Sequence, residues 1–192
     1  MRHLLLSLLF SLLAAASAFG EVVGEGGAGV VRALNGDGLA VQVPAGWVLD
    51  NRALAQQGID MYFYPADSGA IKVGSKAPVF AYVMPTYKGA PYVTVQGLID
   101  LRKKQLMQLD KASSIDIEQA AAPSANKVST VTIMRYATPS LPRYERVAYL
   151  EDSRTIFAVV LSAASPELLQ QNSRFIDDLI ATHQRTIAAA KP

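Results

Sequence analysis

The chain has 192 residues, of which 51% are apolar and 18% charged, with no cysteine and a formal net charge of +2. That composition is too apolar for a disordered chain and long enough to bury a substantial core. The near-neutral balance excludes wholesale nucleic-acid binding, which needs a clustered basic excess to neutralise several phosphates. The absence of cysteine removes thiolate catalysis, cysteine-ligated metals and disulfides together.

Met1-Arg2-His3 is a short positive start, Leu4 to Ala15 an apolar run, and Ala16-Ser17-Ala18 the small-x-small pattern that a signal peptidase accepts in an extended substrate. The spacing predicts a signal peptide over residues 1–18, cleaved after Ala18. The run is shorter than the roughly 20 apolar residues a bilayer core requires, so no membrane span is expected after cleavage. No cysteine follows to carry a lipid. The expected product is a soluble exported protein, periplasmic, with full secretion as the alternative.

Residues 19–29 are rich in glycine and predict a flexible arm, leaving 30–192 as a single α+β domain. Gly24-x-Gly26-x-x-Gly29 matches the letters of a dinucleotide fingerprint but lacks the preceding strand and the long following helix that give it meaning. No cofactor is expected. Val30 to Leu34, the turn residues Asn35-Gly36-Asp37-Gly38 and the alternating Leu39, Val41 and Val43 predict a hairpin. Pro44-Ala45-Gly46 closes it and puts Trp47 where its ring covers the end of a core.

Ile59 to Tyr64 and Pro78 to Met84 are β-branched and aromatic runs of strand length, separated by the turn cluster Pro65 to Gly69. The period then changes. Val95, Leu98, Ile99, Leu106 and Leu109 share one arc at 100° per residue, which predicts an amphipathic helix over 95–111 capped by Thr94. Further strands are predicted at Ser114 to Glu118, Lys127 to Tyr136, Arg143 to Leu150 and Arg154 to Leu161, the last two joined at Glu151-Asp152-Ser153. Ser165-Pro166 opens a final helix running to about Ile187, serine as cap and proline in the first turn. Most joins are too short for parallel crossovers. The fold class is therefore α+β: a mainly antiparallel β-sheet with two long helices packed on it, an αβα sandwich.

His183 is the one histidine outside the leader, and no G-x-S-x-G elbow accompanies it, so metal clusters and a serine triad both lack their parts. His183 and Asn172 fall on the apolar arc of the last helix, and Arg102 falls in the middle of the apolar arc of the first. Polar groups so placed are paired inside the structure, or else line a pocket. Asp116 and Glu118 share one face of a short strand, where edge charge that discourages aggregation competes with cation binding. Adjacent pairs occur at Glu151-Asp152 and Asp177-Asp178. The segment from Met84 to Tyr92 combines prolines with Tyr87, Lys88 and Tyr92, rigid amphipathic surfaces suited to a contact loop, and Thr138 to Pro142 is a second proline loop.

Leu39 to Trp47, a strand ending in Pro-x-Gly-Trp, and Tyr144 to Ser162 running into the helix with Phe175 and Leu179 resemble the PsbP-like fold group. That group includes the photosystem extrinsic subunit, the Ran-binding Mog protein and bacterial envelope proteins. The resemblance covers about residues 30 to 187 and is one of architecture. It implies an αβα sandwich used for docking onto proteins, usually without catalysis, and carries no site residue over. The functional expectation is an exported, non-catalytic accessory protein contacting another envelope protein through Met84, Tyr87, Lys88 and Tyr92. The alternative is a periplasmic small-ligand binder or hydrolase with a pocket near Arg102, Asn172 and His183. The sequence sets no oligomeric state.

Overall fold

Residues 155–163 are apolar at both parities of a strand, and such a strand has to be covered on both faces. The structure, a computed structural model, describes residues 22–23, 27–32, 38–50, 59, 61–68, 77–88, 93–109, 114–119, 130–138, 143–151 and 155–189. Among them the elements in chain order are β1 (Val22–Val23), β2 (Ala28–Arg32), β3 (Gly38–Gln42), β4 (Trp47–Asp50), β5 (Met61–Pro65), β6 (Val79–Tyr87), α1 (Val95–Leu109), β7 (Ser114–Gln119), β8 (Thr130–Thr138), β9 (Arg143–Glu151), β10 (Thr155–Ala163), α2 (Pro166–Gln171) and α3 (Arg174–Ala189). The leader, the turn at 35–37 and the loop at 139–142 lie outside the described residues.

Eight strands form one antiparallel sheet in the order β1-β4-β5-β6-β10-β9-β8-β7, and β2 pairs with β3 separately. At its centre β10 runs against β6 from Thr155↔Tyr87 to Ala163↔Val79 and against β9 from Ile156↔Glu151 to Ala163↔Tyr144. All nine residues of β10 are buried. The two parities build two cores. Phe157, Val159 and Leu161 join Leu49, Met61, Phe63, Val83, Ala148 and Leu150 under the hairpin β2–β3 and under Phe175, Ile176 and Leu179 of α3. Ile156, Ala158 and Val160 join Val147, Tyr149 and Tyr82 under Val95, Ile99 and Leu106 of α1. This is the expected αβα arrangement.

Local chemistry explains the turns and ends. The Trp47 N–H donates to the Pro44 carbonyl at 3.1 Å, closing a turn in which Gly46 sits at φ +75°, the left-handed position that glycine adopts without strain. Trp47 is thereby delivered into the core, 6% exposed, its ring centroid 4.3 Å from that of Phe175. Thr94 caps α1 as expected, its Oγ1 accepting from the Gly97 N–H at 3.0 Å. Ser165 likewise accepts from the Leu168 N–H at 3.3 Å, with Pro166 in the first turn of α2.

Three elements differ from expectation. The final helix is two helices, because Asn172 caps α2, donating from its own N–H and from Nδ2 to the Leu168 carbonyl at 3.2 and 2.9 Å. Asn and Ser side chains compete for backbone groups in this way, and α3 restarts with the Phe175 N–H donating to the Asn172 carbonyl at 3.0 Å. Second, β6 continues past Met84 through Pro85 to Tyr87. Among the described residues the pairing of β5 with β6 ends at Met61↔Val83, so Pro85 lies past it while still in register with Phe157 of β10, a position at a ladder's end where proline is tolerated. Third, the glycine-rich segment contributes β1, which pairs Val22 with Asp50 and Val23 with Leu49, and the first residues of β2.

Gly29 is a place where β2 must come close to the main sheet. A Cβ there would stand 2.4 Å from Leu49 Cδ2 and 2.6 Å from Met61 Cε, and both side chains are fully buried. Gly29→Ala should therefore cost about 1–3 kcal/mol by overpacking, measured by urea unfolding. A neutral result would mean that the hairpin rides more loosely on the sheet.

Candidate functional site

Two of the three residues considered for a pocket, Arg102 and Asn172, lie on opposite faces of the sheet. Arg102 extends from α1 on the face of Val147, Tyr149 and Val160, whereas Asn172 lies between α2 and α3, which pack on the face of Leu161 and Leu150. The sheet separates them. His183 belongs to α3, and its side chain lies outside the described residues. Asn172 is half-buried and occupied in capping α2.

Arg102 meets a carboxylate, as an arginine in an apolar arc should. Its Nη2 donates to Glu145 Oε2 at 3.5 Å, with the Glu145 side chain 10% exposed and that of Arg102 37%. Glu145 is on β9, directly opposite Ser162 on β10, and Tyr82 and Tyr149 flank it on the same sheet face. Burial pushes the Glu145 carboxyl up from its ordinary value, against the opposing pull of Arg102 and then of the Ser162 hydroxyl, whose approach falls short of a well-formed hydrogen bond. Burial also pushes the Tyr149 hydroxyl up to about 12 and raises that of Tyr82, the latter reinforced by the Glu145 charge. Ser162 is fully buried, and the Arg102–Glu145 pair beside it ties α1 to β9.

On the opposite face Arg146 does comparable work. Its Nη1 donates to the Ser173 carbonyl at 2.7 Å and its Nη2 to Asp177 Oδ1 at 2.9 Å, so a strand residue holds both the break between α2 and α3 and the first turn of α3. The sequence reading passed over Arg146, since β9 is mixed in polarity at both parities and nothing in the spacing marks one arginine as buried. Further along the α1 face, Tyr62, Phe80 and Tyr82 form a stacked row with centroids 5.6 and 6.1 Å apart. The Arg143 guanidinium lies 5.0 Å from the Phe80 centroid while Nη1 donates to the Ala77 carbonyl at 3.3 Å.

The contact segment begins inside the sheet. Met84 is half-buried in β6, opposite Ala158, and Tyr87 is the last residue of β6, opposite Thr155, with its side chain outside the described residues. Lys88 pairs with Glu151 at 2.5 Å, pinning the exit of β6 to the end of β9. Tyr92 lies outside the described residues. Asp116 and Glu118 occupy the strand at one end of the sheet, at register positions opposite Arg135 and Ile133. Among the described residues no group of three potential metal ligands occurs, and no helix is long and apolar enough to cross a membrane.

No protein-family model matches the chain, and no curated protein matches it. Among solved structures it is similar to the solution structure of cyanobacterial PsbP (CyanoP) from Synechocystis sp. PCC 6803, with a TM-score of 0.51 and 12% sequence identity over 88% of this chain and 96% of that one. At that identity the likeness is one of backbone architecture, and no side chain's role passes between the two. The α+β sandwich of this chain, an antiparallel sheet with helices on both faces, is a PsbP-like fold.

Proposed function

We propose that the chain is an exported, non-catalytic accessory protein of the bacterial envelope that acts by protein contact, with Met84, Tyr87, Lys88 and Tyr92 at the contact surface. The observation that carries this reading is where the polar candidates are spent. Arg102 is committed to Glu145, Asn172 to the end of α2, and the sheet lies between them. β6 leads from the middle of the sheet, past Lys88 in its ion pair with Glu151, into the proline- and tyrosine-containing connection that precedes α1. The fold shared with cyanobacterial PsbP is consistent with an extrinsic, docking role. The leader sequence supports periplasmic placement after cleavage at Ala18.

The test is a crosslinking pull-down from envelope extract with the exported protein and its Tyr87→Ala/Tyr92→Ala variant. The expected result is a partner recovered by the unmodified protein and lost by the variant, with the variant's stability within about 1 kcal/mol of the parent. Equal recovery by both baits would sink the assignment of these tyrosines. A large stability loss would place them in the core instead.

A further inference from the structure

We propose that Glu145 is a proton-binding site that sets how firmly α1 is held on the sheet, so that the helix docks more tightly as the pH falls. The inference is independent of what residues 84–92 bind. Among the described residues α1 contributes the buried side chains of Val95, Ile99 and Leu106, with Leu98 packed beside them, to a core separate from the larger one beneath α3. Among the described residues this is the smaller of the two cores, and the element seated on it is the one whose local opening is cheaper. At the end of that core, one same-face position beyond the Val147↔Val160 pair, the Glu145 carboxyl is buried.

The groups facing Glu145 do little to hold its charged form. From α1, Arg102 reaches it at 3.5 Å, longer than the 2.7–2.9 Å of a strong charge-assisted bond, with its guanidinium partly in solvent. From β6 comes Tyr82, and from β9 itself Tyr149. Arg143, two residues back on β9, is turned to the Phe80 ring and the Ala77 carbonyl. From β10 comes Ser162, and on β8 the register position opposite Glu145 is Tyr136. The neutral acid suits this apolar and phenolic surrounding better than the carboxylate does, and burial outweighs the arginine. A carboxyl whose folded-state pKa lies above its unfolded value contributes stability that is fully present below the unfolded pKa. That contribution is lost as the pH rises through the folded pKa.

The experiment is urea unfolding of the purified protein, its Glu145→Gln variant and its Arg102→Gln variant in steps from about pH 4.5 to 8.5, with amide hydrogen exchange of α1 measured against that of β10. Relative to Glu145→Gln, the parent should lose stability as pH rises, about tenfold in the folding equilibrium constant for each unit by which the folded carboxyl lies above the unfolded one. α1 should exchange faster relative to β10 at the alkaline end. Arg102→Gln removes the charge that opposes protonation and should move the parent's transition to higher pH. Parallel curves for the parent and Glu145→Gln would overturn the proposal. If Glu145→Gln does not fold, an unmoved pH profile in Arg102→Gln overturns it equally.

Discussion

Replacing Phe175 with alanine should destabilise the protein by about 3–5 kcal/mol, the range for removing a buried phenylalanine from a packed core. The ring is 2% exposed and stands where three elements meet: its centroid is 4.3 Å from that of Trp47 on β4 and 5.2 Å, edge-on, from that of Phe63 on β5. Offset and edge-to-face pairs of this kind add about 0.5–1.5 kcal/mol beyond the area they bury. The loss therefore falls on the joint between α3 and the sheet rather than on α3 alone. Trp47 is the sole tryptophan of the chain, so its fluorescence reports directly on the joint. Urea unfolding should show a lower midpoint, with native emission shifted as water or relaxed side chains reach the indole. Leu101→Ala is the control, since Leu101 is 48% exposed on α1 and its truncation should stay within about 0.5 kcal/mol. A Phe175→Ala cost below about 1.5 kcal/mol would show that α3 is docked by something other than this aromatic group.

What the sequence made legible follows from which interactions are local. The strands between residues 143 and 163 and the helix beginning at Val95 were readable because their signals, β-branched runs and an apolar arc capped by Thr94, act within a few residues of one another. The PsbP-like architecture followed from their order. The break at Asn172 and Ser173 was not readable. The polar pair hints at a cap, but what holds the Ser173 carbonyl is Arg146, 27 residues earlier on a strand. Periodicity likewise located Arg102 and Asn172 on the apolar arcs of their helices, yet an arc does not say on which side of a sheet its helix packs. A pocket built from both required a placement that only the topology decides. Gly29 looked like linker composition because the reason for it, the buried ends of Leu49 and Met61, lies in other strands. For the same reason the strand from Pro78 was expected to stop at Met84, whereas Pro85 continues it beyond the last described β5–β6 pair, Met61↔Val83.

Asp177→Ala should cost about 2–3 kcal/mol and should be more damaging than Arg146→Met, although Arg146 is the buried member of the pair. The Arg146 side chain is 9% exposed, and Asp177 is its counter-ion at 2.9 Å. Taking away the carboxylate leaves a guanidinium that has already given up its hydration, held by the Ser173 carbonyl at 2.7 Å and with Nε lacking a partner. Arg135 occupies the register position opposite Arg146 on β8, so the neighbouring strand supplies no compensating carboxylate at that point. Asp177 is 57% exposed, so water replaces part of what it gave, which keeps the cost below the 3–5 kcal/mol typical of a fully buried pair. Methionine at 146 removes the charge and its unsatisfied donor together while keeping an unbranched chain of similar reach, and should cost about 1 kcal/mol. The double variant should then be no worse than Arg146→Met alone, giving a coupling energy of about 2–3 kcal/mol in a double-mutant cycle read by urea unfolding. Asp178→Ala serves as the control for the loss of a carboxylate near the start of α3, because Asp178 pairs with the exposed Arg174 one turn back and its removal should cost about 0.5 kcal/mol. Additive costs for Asp177→Ala and Arg146→Met would mean that Arg146 holds the helices through its packed stem, with the charge itself contributing nothing.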